Sequence, residues 1–123
     1  MKVALAQISS YLGNLEKNID KHLEYCDKAI AEKADLIVFP ELSLTGYSLK
    51  DINYEICLNP YTSPKLDRLK EKSKEISIIC GLVEEGDNSA VYNSAAYIED
   101  GEVKFTHRKV YLPTYGIFEE LRY

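Results

Sequence analysis

Two apolar runs joined by one long amphipathic stretch, all inside the first forty residues, limit the folds open to this chain more than any other feature. Lys2 to Ser9 reads as a strand, with Val3, Leu5 and Gln7 on one face and Ala4, Ala6 and Ile8 on the other. Both faces are mostly apolar, which suits a strand covered on two sides. The segment YLGN then turns the chain, with Asn14 placed to cap a helix. Leu15, Ile19, Leu23, Cys26 and Ile30 follow at helical spacing, an apolar stripe on a helix running to about Lys33. Leu36 to Phe39 is a second strand. Strand, long helix and strand in that order form a βαβ unit, so the fold class is α/β, with helices packed on a parallel or mixed sheet.

Downstream, SPKLDRLKEKSKE starts a second helix, with Ser63 as N-cap and Pro64 at the first helical position. Leu66 and Leu69 face inward and the lysines outward, so its charge run reads as a solvated face. From Ile76 the pattern changes to strands: ISIICGLVE, AVYNSAAYIE and EVKFTHRKV. The Asp100-Gly101 dipeptide between the last two matches a two-residue type I′ hairpin. Gly81 and Gly86 have the spacing of a phosphate-binding loop, but Asp87 and Asn88 stand where Lys and Ser or Thr are needed, which excludes that motif.

The net charge of -5, with no basic cluster, argues against nucleic acid or an anionic membrane as partner. No apolar run is long enough to span a membrane, and the lysine-led start is interrupted too early by Gln7 for a secretion signal. A cytoplasmic location is therefore expected. Cys26, Cys57 and Cys80 form no paired motif, and His22 and His107 have no ligand-type spacing, so neither a disulfide framework nor a metal site is indicated. Cys80 sits mid-strand like a small hydrophobe, and Cys26 and His22 lie on or beside the apolar stripe of the first helix. Glu41 directly follows the second strand and Lys109 ends the last one, where loops of such sheets collect chemistry. Periodicity alone leaves open whether the two meet or whether each is an ordinary surface residue.

The residues FPELSLTGY at 39–47, with KVALAQ at the start and HRKVYLPTYGIFEE at 107–120, resemble the nitrilase, or carbon-nitrogen hydrolase, superfamily. Within it, TGY after the glutamate and LPTYGIFEELRY after the lysine look most like the glutamine-hydrolysing domain of glutamine-dependent NAD⁺ synthetases. The resemblance implies a nitrilase-type αββα sandwich, of which residues 1–123 are the N-terminal portion. It implies a Glu–Lys–Cys triad that hydrolyses a small amide, glutamine above all, with Glu41 as general base and Lys109 as catalytic lysine. Glu120 matches a further family glutamate that orients the lysine or the substrate, with Glu119 as the neighbouring alternative, and Tyr115 matches a substrate-contacting position. The amidase step takes no cofactor, and ATP belongs to a separate synthetase domain.

The family's nucleophile lies downstream of the lysine, whereas all three cysteines here precede it. The expectation is an incomplete, inactive fragment that self-associates through sheet surface its missing half would cover. The rivals are a stand-alone amidase or carbamoylase of the same superfamily and a non-catalytic assembly module.

Overall fold

The computed structural model describes residues 1–46, 57–86 and 90–109. Strand β1 (Val3–Leu5) leads into helix α1 (Leu15–Ala31) and strand β2 (Leu36–Val38). A 3₁₀ turn (Pro64–Leu66) opens helix α2 (Asp67–Lys72), and strands β3 (Ser77–Glu85), β4 (Val91–Glu99) and β5 (Glu102–Arg108) follow. They form one mixed sheet in the order β1-β2-β3-β4-β5. The first two pairings are parallel and the last two antiparallel, so β1, β2, β3 and β5 all point the same way.

Local chemistry explains the boundaries. The Asn14 side chain accepts a hydrogen bond from the Lys17 N–H at the start of α1, and Ser63 does the same for Lys65 before α2. Asp100 and Gly101 take φ of 56° and 87°, as a type I′ turn requires. Strand β1 is shorter than the pattern of residues 2–9 suggests. The chain leaves the ladder after Ala6 because the Asn18 side chain captures it: Tyr11 N–H donates to Asn18 Oδ1, and Asn18 Nδ2 donates to Tyr11 O, each at 2.7 Å.

One face of the sheet carries the core. Ala4, Ile37, Ile78, Ile98 and Val103 form a register row beneath α1 and α2, and the last four are buried. The buried side of α1 is Asn18, Ile19, His22, Cys26 and Ala29, with Leu15, Leu23 and Ile30 only at its margins. The stripe is thus rotated from the one the apolar spacing marks, and it takes in two polar side chains.

On the opposite face, the row Leu5, Val38, Ile79, Tyr97 and Phe105 crosses the sheet, with Tyr97 and Phe105 stacked at 5.2 Å. Leu5 is 77% exposed and Phe105 56%, and among the described residues no helix packs there. The two-sided apolar character of β1 is real, but among the described residues only one side is covered. Among the described residues, no helix is long and apolar enough to cross a membrane.

Candidate active site

Strand β2 ends where it does because Pro40 has no N–H to continue the ladder. Phe39 makes the last such bond, donating to Ile79 O at 2.9 Å. The chain then folds into a tight turn: Ser43 N–H donates to Pro40 O at 3.1 Å and Gly46 N–H to Leu42 O at 2.8 Å. Leu42 takes φ of 53°, a left-handed conformation that costs a non-glycine residue about 1–2 kcal/mol.

The turn lies directly on β3 at Gly81. A Cβ there would stand 2.2 Å from Leu42 N, 2.8 Å from Pro40 O and 2.9 Å from the Glu41 carbonyl carbon, so only glycine fits. Leu44 N–H donates to Gly81 O at 2.9 Å, and Asn18 Nδ2 holds Leu44 O from below at 2.8 Å.

This packing aims Glu41 across the sheet rather than along it. Gly81 pairs with Ala95, which pairs with His107, so the two central strands present almost no side chain where the carboxylate passes. Strand β5 runs parallel to β2, so its end arrives at the same edge, and Lys109 N–H extends the ladder by donating to Asn93 O at 2.8 Å. Lys109 Nζ then donates to Glu41 Oε1 at 3.2 Å, across 68 residues of sequence. Asn93 Nδ2 donates to the same oxygen. The structure therefore brings Glu41 and Lys109 together, at the mouth of a cleft of about 480 Å³. Val38, Phe39, Ile79, Gly81, Ala95 and His107 form its walls. The two charged side chains remain 47% and 44% exposed. An ion pair that open contributes about 0–1 kcal/mol to stability, so holding the fold together does not explain it.

The residue before the lysine is anchored on the other face. Arg108 donates to buried Glu84 through Nε at 3.2 Å and Nη2 at 3.0 Å. Ser94 Oγ donates to Glu84 at 2.7 Å, and the guanidinium lies 4.2 Å from the Tyr92 ring centre. Burial pushes the Glu84 carboxyl up, but the bonds from Arg108 and Ser94 outweigh it and leave the group below its ordinary value. Strand β5 is thereby fixed at its last residue, one position from Lys109.

All three cysteine thiols are held above their ordinary value. Cys80 contributes to the cleft wall, but strand alternation places it in the row of Ile78 and Leu82, and its side chain is buried. Burial, and then the nearby Cys26, pushes the Cys80 thiol up to about 12. Burial, and then Asp27, does the same to Cys26. Cys57, raised mainly by burial, lies in the segment that pairs with the far end of β3 through Leu58. A reactive thiol needs a lowered value, not a raised one.

Tyr115, Glu119 and Glu120 lie outside the described residues. Among the described residues, no group of three or more His, Cys, Asp and Glu side chains is placed to hold a metal. Asn93 and Gly81 belong to the site, although sequence motifs point to no role for Asn93 and mark Gly81 only for a phosphate-loop spacing that fails. Asn93 carried a usable signal, since asparagine is depleted in strand interiors; Gly81, in mid-strand, marked a close backbone approach.

Residues 2–123 match the family model for carbon-nitrogen hydrolases. The glutamine-dependent NAD⁺ synthetase of Acinetobacter baylyi is 39% identical over 122 residues, 99% of this chain and 22% of that protein. The protein N-terminal amidase of Saccharomyces cerevisiae is 32% identical over 127 residues, 91% of this chain and 26% of that protein. Among solved structures, the glutamine-dependent NAD⁺ synthetase of Acinetobacter baumannii in complex with ADP superimposes with a TM-score of 0.74. It is 37% identical, over 98% of this chain and 23% of its own. The chain thus spans about a quarter or less of the length of these relatives.

Proposed function

The chain belongs to the carbon-nitrogen hydrolase family, and from that membership we propose that it supplies the glutamate and lysine of a Glu–Lys–Cys amidase acting on the side-chain amide of glutamine. The observation that carries the reading is the pairing of Lys109 Nζ with Glu41 Oε1 at 3.2 Å over an open cleft. In this reading the attacking thiol is none of Cys26, Cys57 and Cys80, each of which burial holds above its ordinary value, and is supplied by another segment of polypeptide.

Glu41 takes the thiol proton, and the thiolate attacks the amide carbon. The carbonyl oxygen becomes an oxyanion, which the Lys109 ammonium stabilises. As the C–N bond breaks, Glu41 returns the proton to the departing nitrogen and ammonia leaves a thioester behind. Glu41 then deprotonates a water that hydrolyses the thioester and regenerates the thiol. Asn93 and Lys109 both bind Oε1, which fixes the carboxylate's orientation during these transfers. In this reading Glu120, or its neighbour Glu119, orients the lysine or the substrate, and Tyr115 contacts the substrate. The step takes no cofactor; the ammonia feeds NAD⁺ synthesis on a separate, ATP-using domain. The similarity to the yeast amidase favours a second reading, the same chemistry on the side-chain amide of an N-terminal residue of a peptide or protein.

The test is a chimera in which residues 1–123 replace the matching segment of the Acinetobacter baylyi relative, assayed for ammonia release from free glutamine and from a peptide with N-terminal glutamine. Release from free glutamine is expected, reduced about 10²–10³-fold by Lys109→Ala and about 10²–10⁴-fold by Glu41→Gln. Wild-type turnover in either variant refutes that residue's role, and a preference for the peptide selects the second reading. The 123-residue chain alone is expected to release no ammonia; robust release would overturn the account of the thiol.

A further inference from the structure

Helix α1 buries a histidine and an asparagine where apolar side chains would fill the same space. The imidazole of His22 is wholly inaccessible, and its ring lies 4.1 Å from that of Phe39, two residues before Glu41. Its nitrogens each have one partner: Nδ1 lies 2.6 Å from Asn18 O and Nε2 lies 2.8 Å from Ser43 Oγ. A carbonyl oxygen can only accept, so Nδ1 carries the proton and Nε2 of the neutral ring accepts from the Ser43 hydroxyl. Ser43 Oγ in turn accepts from Gly81 N–H at 3.1 Å.

The result is a one-way chain from the β3 backbone through Ser43 and His22 to a carbonyl of α1. It ties together the two elements between which the Glu41 turn is held. Ser43 closes that turn, Phe39 opens it, and Leu42 between them is in a left-handed conformation. A strained turn of this kind persists only where its surroundings over-determine it. No buried side-chain polar atom among the described residues lacks a partner, so the network is complete without any further group. A purely packing role would leave the choice of histidine unexplained, since leucine buries more apolar surface and requires no acceptor.

We propose that His22 is a positioning residue for Glu41, acting through its Nε2 bond to Ser43 to hold the turn on Gly81 and so keep the carboxylate over Lys109. The chain is complete only while the ring is neutral, in keeping with burial holding its pKa down at about 4 against the opposing bond to Asn18. The catalytic meaning of this strap rests on the amidase reading above; its geometry does not.

The experiment uses the 123-residue chain and nitrogen-15 NMR without any amide substrate. First, the unmodified protein at neutral pH is expected to show His22 protonated on Nδ1 and bare on Nε2; the opposite tautomer overturns the proposal. Second, the change in the Lys109 side-chain resonance on Glu41→Gln measures the pairing of the two groups. That change is expected to fall by at least half in His22→Leu and in Ser43→Ala, in samples whose amide spectra show a retained fold. His22→Gln, which can present an acceptor to Ser43, is expected to restore most of it. A full pairing signal in folded His22→Leu, or no restoration by His22→Gln, overturns the proposal while leaving the amidase reading intact. Absence of the signal in the parent would remove the footing of both, and loss of ammonia release in the chimera would touch only the amidase reading.

Discussion

Replacing Gly81 by alanine tests whether the Glu41 turn is pressed onto β3 as described. The added Cβ would stand 2.2 Å from Leu42 N, where ordinary contacts begin at 3.4 Å, and the atoms it meets are backbone. They cannot rotate away, so the turn must lift off by roughly the difference. Lifting breaks two buried hydrogen bonds, Gly81 N–H to Ser43 Oγ at 3.1 Å and Leu44 N–H to Gly81 O at 2.9 Å. At about 1 kcal/mol each, with about 1–3 kcal/mol of overpacking strain, the expected loss is about 3–5 kcal/mol. The assay is urea unfolding followed by circular dichroism, read as a shift of midpoint at unchanged slope. Gly13→Ala is the control. Gly13 has φ of 71° but nothing within 4 Å of a built Cβ, so it should cost only the left-handed penalty of about 1–2 kcal/mol. A loss in Gly81→Ala no larger than that in Gly13→Ala would refute the close contact, because Gly81 has no positive φ and the full loss of about 3–5 kcal/mol must come from the contact itself.

Acid should weaken the fold through His22. The unfolded chain takes up the proton near 6.5 and the folded chain only at about 4, because burial opposes the charge. Stability is therefore full above 6.5, declines as pH falls toward 4 and levels below it. At 1.36 kcal/mol per pH unit the decline amounts to about 3 kcal/mol. Urea midpoints across this range should lose that part of their slope in His22→Gln. Lys109→Ala should cost about 0–1 kcal/mol of stability, since the pair with Glu41 is half exposed; a loss of several kcal/mol in the same unfolding assay would make the pair structural. The apolar row ending at Phe105 should make the chain self-associate, and Phe105→Glu should reduce that association in light scattering at high concentration. A parent that remains monomeric there would argue against the row as an association surface.

Much of the architecture is legible from spacing alone. The βαβ start, the Asn14 cap and the Asp100-Gly101 hairpin follow from local rules, and the structure adds only boundaries. The buried face of α1 is not legible in this way. Apolar spacing marks Leu15, Leu23 and Ile30, whereas tertiary hydrogen bonds draw Asn18 and His22 into the center. A polar residue can be buried wherever its partners are, and partners from another element leave no trace in a helical period. The same limit applies to Asn93, whose side chain meets Glu41 from a different strand. Periodicity also says that both faces of β1 are apolar without saying what covers them; α1 covers one, and Leu5 on the other is open. That Glu41 and Lys109 reach the same edge follows from β2 and β5 running in one direction, a fact of topology rather than of any short segment.

The sheet is assembled from two halves of unlike locality. Strands β3, β4 and β5 are a meander of short connections, whereas β1 and β2 join it only through long crossings. Contacts between near neighbours in sequence close first, because the chain gives up less freedom to make them. Lys109 and Asn93 ride on the early half and Glu41 on the late one. The carboxylate–ammonium contact is therefore expected to form after the meander, and partial unfolding of the β1–β2 side would dismantle it while leaving the meander standing.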